Sequence, residues 1–365
     1  MPQKSEKRST KDTAATERII IISPFFKIHH PFYCITSLQK VKVWYNDYNM
    51  KKITPVYILI MALCLSACQS NTLNSETRFI LDTVAAVSAD CDEKTLDGVF
   101  SLCKDYENLL SRSIASSDIG RLNSSSGFVS VNKETVEVIE RGLYYSDLSK
   151  GKFDITVYPL SSLWDFKNQV IPSKKEISEA LKSVDYESVE IKGSSVNLNG
   201  KKIDLGGIAK GYIADKMKLY LIEKGAEKGI INLGGNVIVF GDEYCVGIKK
   251  PFSDDIALEL SVKDKSVVTS GIYERYIEKD GTIYHHILDP ETGYAVQNSL
   301  ASVTVIGDSS MDCDALSTLC MLEGIENAAE IIENTADTEA IFIEKSGKIS
   351  LSSGLKRKNN TIKLK

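Results

Sequence analysis

An apolar run near the N-terminus sets where the folded body of this chain can begin. Lys51 and Lys52 precede residues 53–65, which are apolar, uncharged and too few for a comfortable transmembrane helix. The layout is that of a secretory signal, yet the place of the usual small-x-small cleavage site is taken by Leu65-Ser66-Ala67-Cys68. That tetrapeptide resembles a bacterial lipobox, whose cysteine is lipidated and becomes the mature N-terminus. Cys68 is therefore the expected lipid-anchored residue, at the extracytoplasmic face of the cell membrane. Residues 50–67 are expected to be the signal peptide, residues 68–77 a polar tether and residues 78–350 the folded domain, with 351–365 a polar tail. Residues 1–49 precede the signal and are expected to be a leader or a mis-called start, with Met50 the true initiator.

Charge follows the same division. Residues 1–49 carry eight Lys and Arg against four Asp and Glu, and Lys51 and Lys52 add two more positive charges, so the formal net charge of −5 becomes −11 from Cys68 onward. So acidic a chain offers phosphates no basic excess, and no nucleic-acid partner is expected. Five cysteines follow Cys68 (Cys91, Cys103, Cys245, Cys313 and Cys320), without metal-type C-x-x-C spacing, and read mostly as buried thiols.

Residues 78–88 have strand character. Leu96, Val99, Phe100, Cys103, Leu109 and Leu110 recur at helical intervals, and Asn132 is a candidate N-cap for a helix that stops at Gly151. Ser173 and Glu176 form a capping box. Residues 207–224 read as a helix ending at Gly225, residues 230–240 as a strand with a Gly-Gly break, 301–306 as a strand and 311–322 as a helix. The interleaving is too irregular for βαβ units. It favours an α+β fold with a mixed or mainly antiparallel sheet flanked by helices, as one domain or two closely packed lobes.

Four segments rich in Gly, Asp and Thr are candidates for chemistry: residues 151–160, 204–215, 232–241 and 269–293. In DLGGIAKGYIAD, paired glycines before a helix bring backbone N–H groups toward an anion, and Lys210 adds a charge, although Gly-Gly before a helix more often marks tight packing. The only histidines after the signal are His285 and His286. His285 reads as structural, whereas His286, ahead of Asp289-Pro290, is a candidate base. Asp314 and Thr318 are four apart, on one helix face, and suit a hard cation such as Mg²⁺. Spacing alone equally describes an acid at a helix N-terminus and a back-bonded Thr, and favours that reading.

Taken in order, SDIGRLN (117–123), FDITVYPL (153–160), DLGGIAKG (204–211), HILDPETG (286–293) and DALST (314–318) resemble the ApbE family, the FAD:protein FMN transferases. The resemblance implies an ApbE-like fold from about Phe79 to the Leu322 region. It also implies FAD as substrate and Mg²⁺ as cofactor. Lys152, Phe153, Asp154, Asp204, Lys210 and Leu288 match positions that contact FAD, and Leu81 falls where a flavin or adenosine contact is expected. Gly207 through its backbone, with Asp314 and Thr318, matches the Mg²⁺ site, and His286 matches a His near the reacting phosphate. Two departures stand out: Ser113 replaces an aromatic that stacks on the cofactor, and Tyr158 replaces a common Gly. The implied reaction moves FMN from FAD to a Thr or Ser hydroxyl of a membrane-associated or exported redox protein, releasing AMP. Hydrolysis of FAD to FMN and AMP at the same site, or flavin binding without catalysis, are the alternatives.

Overall fold

Leu81 and Asp82 both adopt left-handed backbone, φ 56° and 54°, and turn what reads as one strand into a hairpin. The computed structural model describes residues 73–365 and the backbone of a short strand, β1 (Ile19–Ile21). The expected leader, the signal and Cys68 lie outside the described residues. The first hairpin is β2 (Asn74–Ile80) and β3 (Thr83–Ala89), so the expected tether already enters the sheet at Asn74. A small sheet joins β4 (Val129–Ser130), β5 (Glu190–Lys192) and β6 (Ser195–Asn197). The expected 230–240 strand is a second hairpin, β7 (Gly229–Leu233) and β8 (Asn236–Lys249), turning at Gly234 and Gly235 with φ 61° and 108°. β9 (Ile256–Gly271) follows, then a short hairpin of β10 (Tyr276–Lys279) and β11 (Thr282–His285). β12 (Leu300–Gly307), β13 (Glu339–Glu344), β14 (Ile349–Leu351), β15 (Leu355–Lys358) and β16 (Thr361–Leu364) complete the strands.

The large sheet runs β14–β13–β12–β9–β8–β7–β3–β2, with each of these neighbours antiparallel. β1 pairs in parallel with β8 at residues 245–247. Residues 351–365 are not a free polar tail. β15 and β16 form a hairpin, and β16 lies parallel to the first half of β9, while β12 takes the second half. Leu355 and Ile362, both buried, hold it there.

The helices are α1 (Glu93–Leu110), α2 (Asp118–Ser124), α3 (Lys133–Leu148), α4 (Tyr158–Ser161), α5 (Lys174–Leu181), α6 (Ala209–Glu223), α7 (Ser310–Glu323) and α8 (Ile325–Glu333). Residues Asn74–Lys365 belong to one unit, not two lobes. Its main core draws on β3, β7, β12, α1, α6 and α7, and a small satellite core gathers Leu160, Trp164, Ile177 and Leu288. Among the described residues no helix is long and apolar enough to cross a membrane.

SDIGRLN owes its pattern to folding. Ser117 caps α2 by accepting from Gly120 N at 2.8 Å. Asp118 Oδ2 accepts from Asn132 N and Thr135 Oγ1, 2.7 Å each, tying α2 to the start of α3. Asn132 thus heads α3 without a side-chain cap of its own. Asn123 grips both backbone groups of Ile203, donating to its carbonyl at 2.9 Å and accepting from its N–H at 2.7 Å. That fixes the segment that delivers Asp204.

Candidate active site

Two carboxylates cross-link α6 and α7, each at the other's N-terminus. Asp215 of α6 accepts from Ser310 N at 3.0 Å and Met311 N at 2.9 Å, two of the unpaired N–H groups that open α7. Asp314 of α7 returns the contact through Oδ2, accepting from Gly211 N at 2.9 Å. The helices touch where this happens: a Cβ at Gly211 would stand 2.1 Å from the Ser310 carbonyl oxygen, so only glycine permits the approach. The register of Lys210 and the Gly206-Gly207 loop against Asp314 and Thr318 follows.

Gly211 is the third residue of α6, so its N–H is one of those a helix leaves without an internal partner, and Asp314 satisfies it. The Gly207 carbonyl, just outside the helix, accepts from no donor among the described residues. Thr318 Oγ1 lies 3.6 Å from where a Gly207 Cβ would be, and 3.3 Å from Ser270 Oγ at the end of β9. Asp314 is buried, and burial pushes its carboxyl pKa up, while the Lys210 charge, the Gly211 N–H and the nearby Asn236 amide pull the other way. Asn236 Nδ2 is itself buried without a regular hydrogen bond. A buried carboxylate, a hydroxyl and an open carbonyl form an oxygen set that fits a hard divalent cation. Among the described residues no three His, Cys, Asp or Glu side chains cluster for a metal. A cation here would therefore need further oxygens from water or a phosphate ligand.

Lys210 also lies close enough to act on His286. The His286 imidazole is pushed down to about 3, first by desolvation, then by the Arg275, His285 and Lys210 charges. Its Nδ1 lies 3.3 Å from the Arg275 carbonyl oxygen, a contact that leaves Nε2 with the lone pair in the neutral ring. His285, one residue back, points the opposite way at the end of β11. It is buried, its Nε2 is 3.0 Å from the Val296 carbonyl oxygen, and burial lowers its pKa to about 4. His285 is fully buried against a backbone partner, whereas His286 stays half-buried.

The remaining sequence candidates divide. Phe153 packs beside Gly207, its ring 3.1 Å from a Cβ built there. Asp204 turns Oδ1 to Gly206 N at 3.0 Å, shaping the glycine loop. Leu81 N donates to Glu107 Oε1 at 3.0 Å, and Thr83 abuts Gly234, bringing the two hairpin tips together. Lys152 lies 2.8 Å from Glu291 and 4.0 Å from Asp289, at the wall of a cavity of about 370 Å³ that Tyr294, Val296, Leu322 and Glu323 also line. Two side chains are held by internal contacts. Asp154 Oδ1 accepts from Thr156 N and Oγ1, both at 2.6 Å, and Leu288 sits in the satellite core. Asp215, Asn236, Ser270, Arg275 and Arg112 were not singled out by sequence. Of these, Asp215, Asn236, Ser270 and Arg275 lie inside the segments rich in Gly, Asp and Thr, and only Arg112 falls outside them.

A model described as the ApbE family matches residues 79–342. The FAD:protein FMN transferase of Klebsiella pneumoniae is 39% identical over 272 residues, covering 72% of this chain and 86% of the relative. That of Treponema pallidum is 33% identical, covering 71% and 80%. Among solved structures, the ApbE protein of Thermotoga maritima superposes with a TM-score of 0.71 at 31% identity, covering 77% of this chain and 97% of that one. The flavin transferase ApbE of Vibrio cholerae gives 0.69 at 26%, covering 77% and 98%.

A histidine whose folded pKa lies below its unfolded value contributes stability above the unfolded pKa and loses it as pH falls toward the folded one. The ligand-free protein should therefore show no His286 titration between pH 8 and 5 by NMR. Binding of pyrophosphate, which adds negative charge beside Lys210, should raise the pKa. A titration near 6.5 in the free protein would contradict this electrostatic account.

Proposed function

This chain belongs to the ApbE family, and from that premise we infer that it is an FAD:protein FMN transferase. It moves the FMN part of FAD to a hydroxyl of an acceptor protein and releases AMP. The observation that supports the reading is that the Lys210 charge acts on both Asp314 and His286, while Asp314 accepts from Gly211 N–H and Thr318 lies beside Gly207, where the N-termini of two helices meet. Such a place suits a pyrophosphate.

The acceptor oxygen attacks the FMN-side phosphorus and forms a new P–O bond. The bond from that phosphorus to the bridging oxygen breaks, and AMP leaves with the bridging oxygen. The hydroxyl proton passes to Nε2 of His286, a neutral ring whose basicity rises once the pyrophosphate is bound. Lys210 offsets negative charge on the phosphate oxygens. Mg²⁺, held by Asp314, Thr318 and the Gly207 carbonyl, would supply further neutralising charge there. Phe153 closes one side of the glycine loop and Lys152 guards the neighbouring cavity. Most of the rate is expected from positioning, as in other phosphoryl transfers.

The acceptor we propose is a membrane-associated or exported redox protein displaying a Ser or Thr, with this chain anchored by lipid at Cys68. Tethering confines enzyme and acceptor to one surface and raises their effective concentration.

With FAD, Mg²⁺ and such an acceptor, mass spectrometry should find the acceptor heavier by one FMN and AMP in equal amount. AMP with an unmodified acceptor would mark hydrolysis instead. Asp314→Ala should cut transfer by on the order of a hundredfold or more, and full activity in that variant would remove the cation assignment. In cells, an exported Cys68→Ala form should leave the membrane fraction and flavinylate its acceptor more slowly; membrane retention of that form would rule out the anchor.

A further inference from the structure

Arg112 lies just beyond the end of α1, at the residue before Ser113. Its guanidinium carbon stands 4.9 Å from the centre of the Tyr158 ring, a cation–π stack at the start of α4. Its edge is pinned as well. Nε lies 3.3 Å from Asp204 Oδ2, and Nη1 donates to Ser161 Oγ at 3.4 Å. Ser161 in turn donates to the same Asp204 oxygen at 2.9 Å. Asp204 is the residue whose other oxygen holds Gly206 N, so the guanidinium is anchored to the glycine loop beside the proposed pyrophosphate position.

A planar cation backed by an aromatic ring and locked at its edge is a preorganised stacking surface. A third of the Arg112 side chain stays exposed, although Tyr158, Asp204 and Ser161 hold it. The ion pair with Asp204 leaves no net charge, so the surface suits an uncharged flat ring better than an anion. It offers no cavity, which favours a small ring system over a large one. The cavity of about 370 Å³ beside Lys152 shares no residue with it and has room for the three-ring flavin.

We propose that Arg112, backed by Tyr158, stacks the adenine of FAD and positions the AMP leaving group. This assignment deepens the transferase reading and rests on it for the identity of the dinucleotide. Tyr158 and Arg112 together then do the work that an aromatic at position 113 would do.

The test is calorimetric binding of ADP and FMN, each with Mg²⁺, to the wild-type protein, Arg112→Met and Tyr158→Leu. Losing a desolvated cation–π or base-stacking contact weakens binding roughly tenfold. Arg112→Met should weaken ADP about that much and leave FMN unaffected. Tyr158→Leu, which spares the ion pair with Asp204, should shift ADP in the same direction by less. In steady state, Arg112→Met should raise KM for FAD more than it lowers kcat. Unchanged ADP affinity in both variants overturns the proposal, and so does a loss confined to FMN. If ADP binding responds as expected but no acceptor is flavinylated by the wild-type protein, the transferase reading fails and the adenine site stands.

Discussion

The structure depends on the exchange of carboxylates between α6 and α7. Asp215 satisfies the first N–H groups of α7, and Asp314 satisfies an N–H in the first turn of α6. Helix openings carry unpaired donors and a positive end of the dipole, and two of them side by side would repel without intervening negative charge. The exchange supplies that charge twice and fixes the register of both helices. The Gly207 carbonyl, just ahead of α6, accepts no hydrogen bond among the described residues, and Thr318 lies beside that glycine. Glycine at 211 is the steric condition for all of it.

From that joint the site is assembled by contacts that are individually ordinary. Ser270 brings the end of β9 to Thr318, Asn236 brings the start of β8 to Asp314, and Asn123 holds Ile203 so that Asp204 can shape the loop. Each costs the fold little, because each polar group was going to need a partner in the interior. Asn236 Nδ2 is the exception, and it faces the most demanding group in the site.

Much of this was legible in the sequence wherever local chemistry decided the outcome. Ser173 and Glu176 do form their capping box, with both hydrogen bonds present. The Gly225 and Gly234-Gly235 signals do end a helix and break a strand, and the mainly antiparallel sheet follows from irregular alternation. Where tertiary contacts decided, the sequence was silent. Leu81 lacks turn chemistry, although Asp82 tolerates the left-handed region; Glu107 and the neighbouring hairpin tip hold Leu81 there. Residues 355–364 carry a turn signal in Asn359-Asn360, with Asn359 at φ 57°, but beyond Leu355 and Ile362 nothing in them says which strand the hairpin joins. Asp314 and Thr318 at helical spacing could equally have been an acid at its own helix N-terminus and a back-bonded Thr; in the structure Asp314 is buried against the start of the other helix and Thr318 faces Ser270 and Gly207. His285 and His286 separate only through strand alternation.

The central claim is that the α6–α7 joint binds a cation and a pyrophosphate together. The most direct measurement is an anomalous difference map from crystals soaked with Mn²⁺ and ADP. A single strong peak within coordination distance of Asp314, Thr318 and the Gly207 carbonyl, touching the ADP phosphates, is the predicted result. A peak instead among Asp289, Glu291 and Glu323 beside Lys152, with none at Asp314, would contradict it.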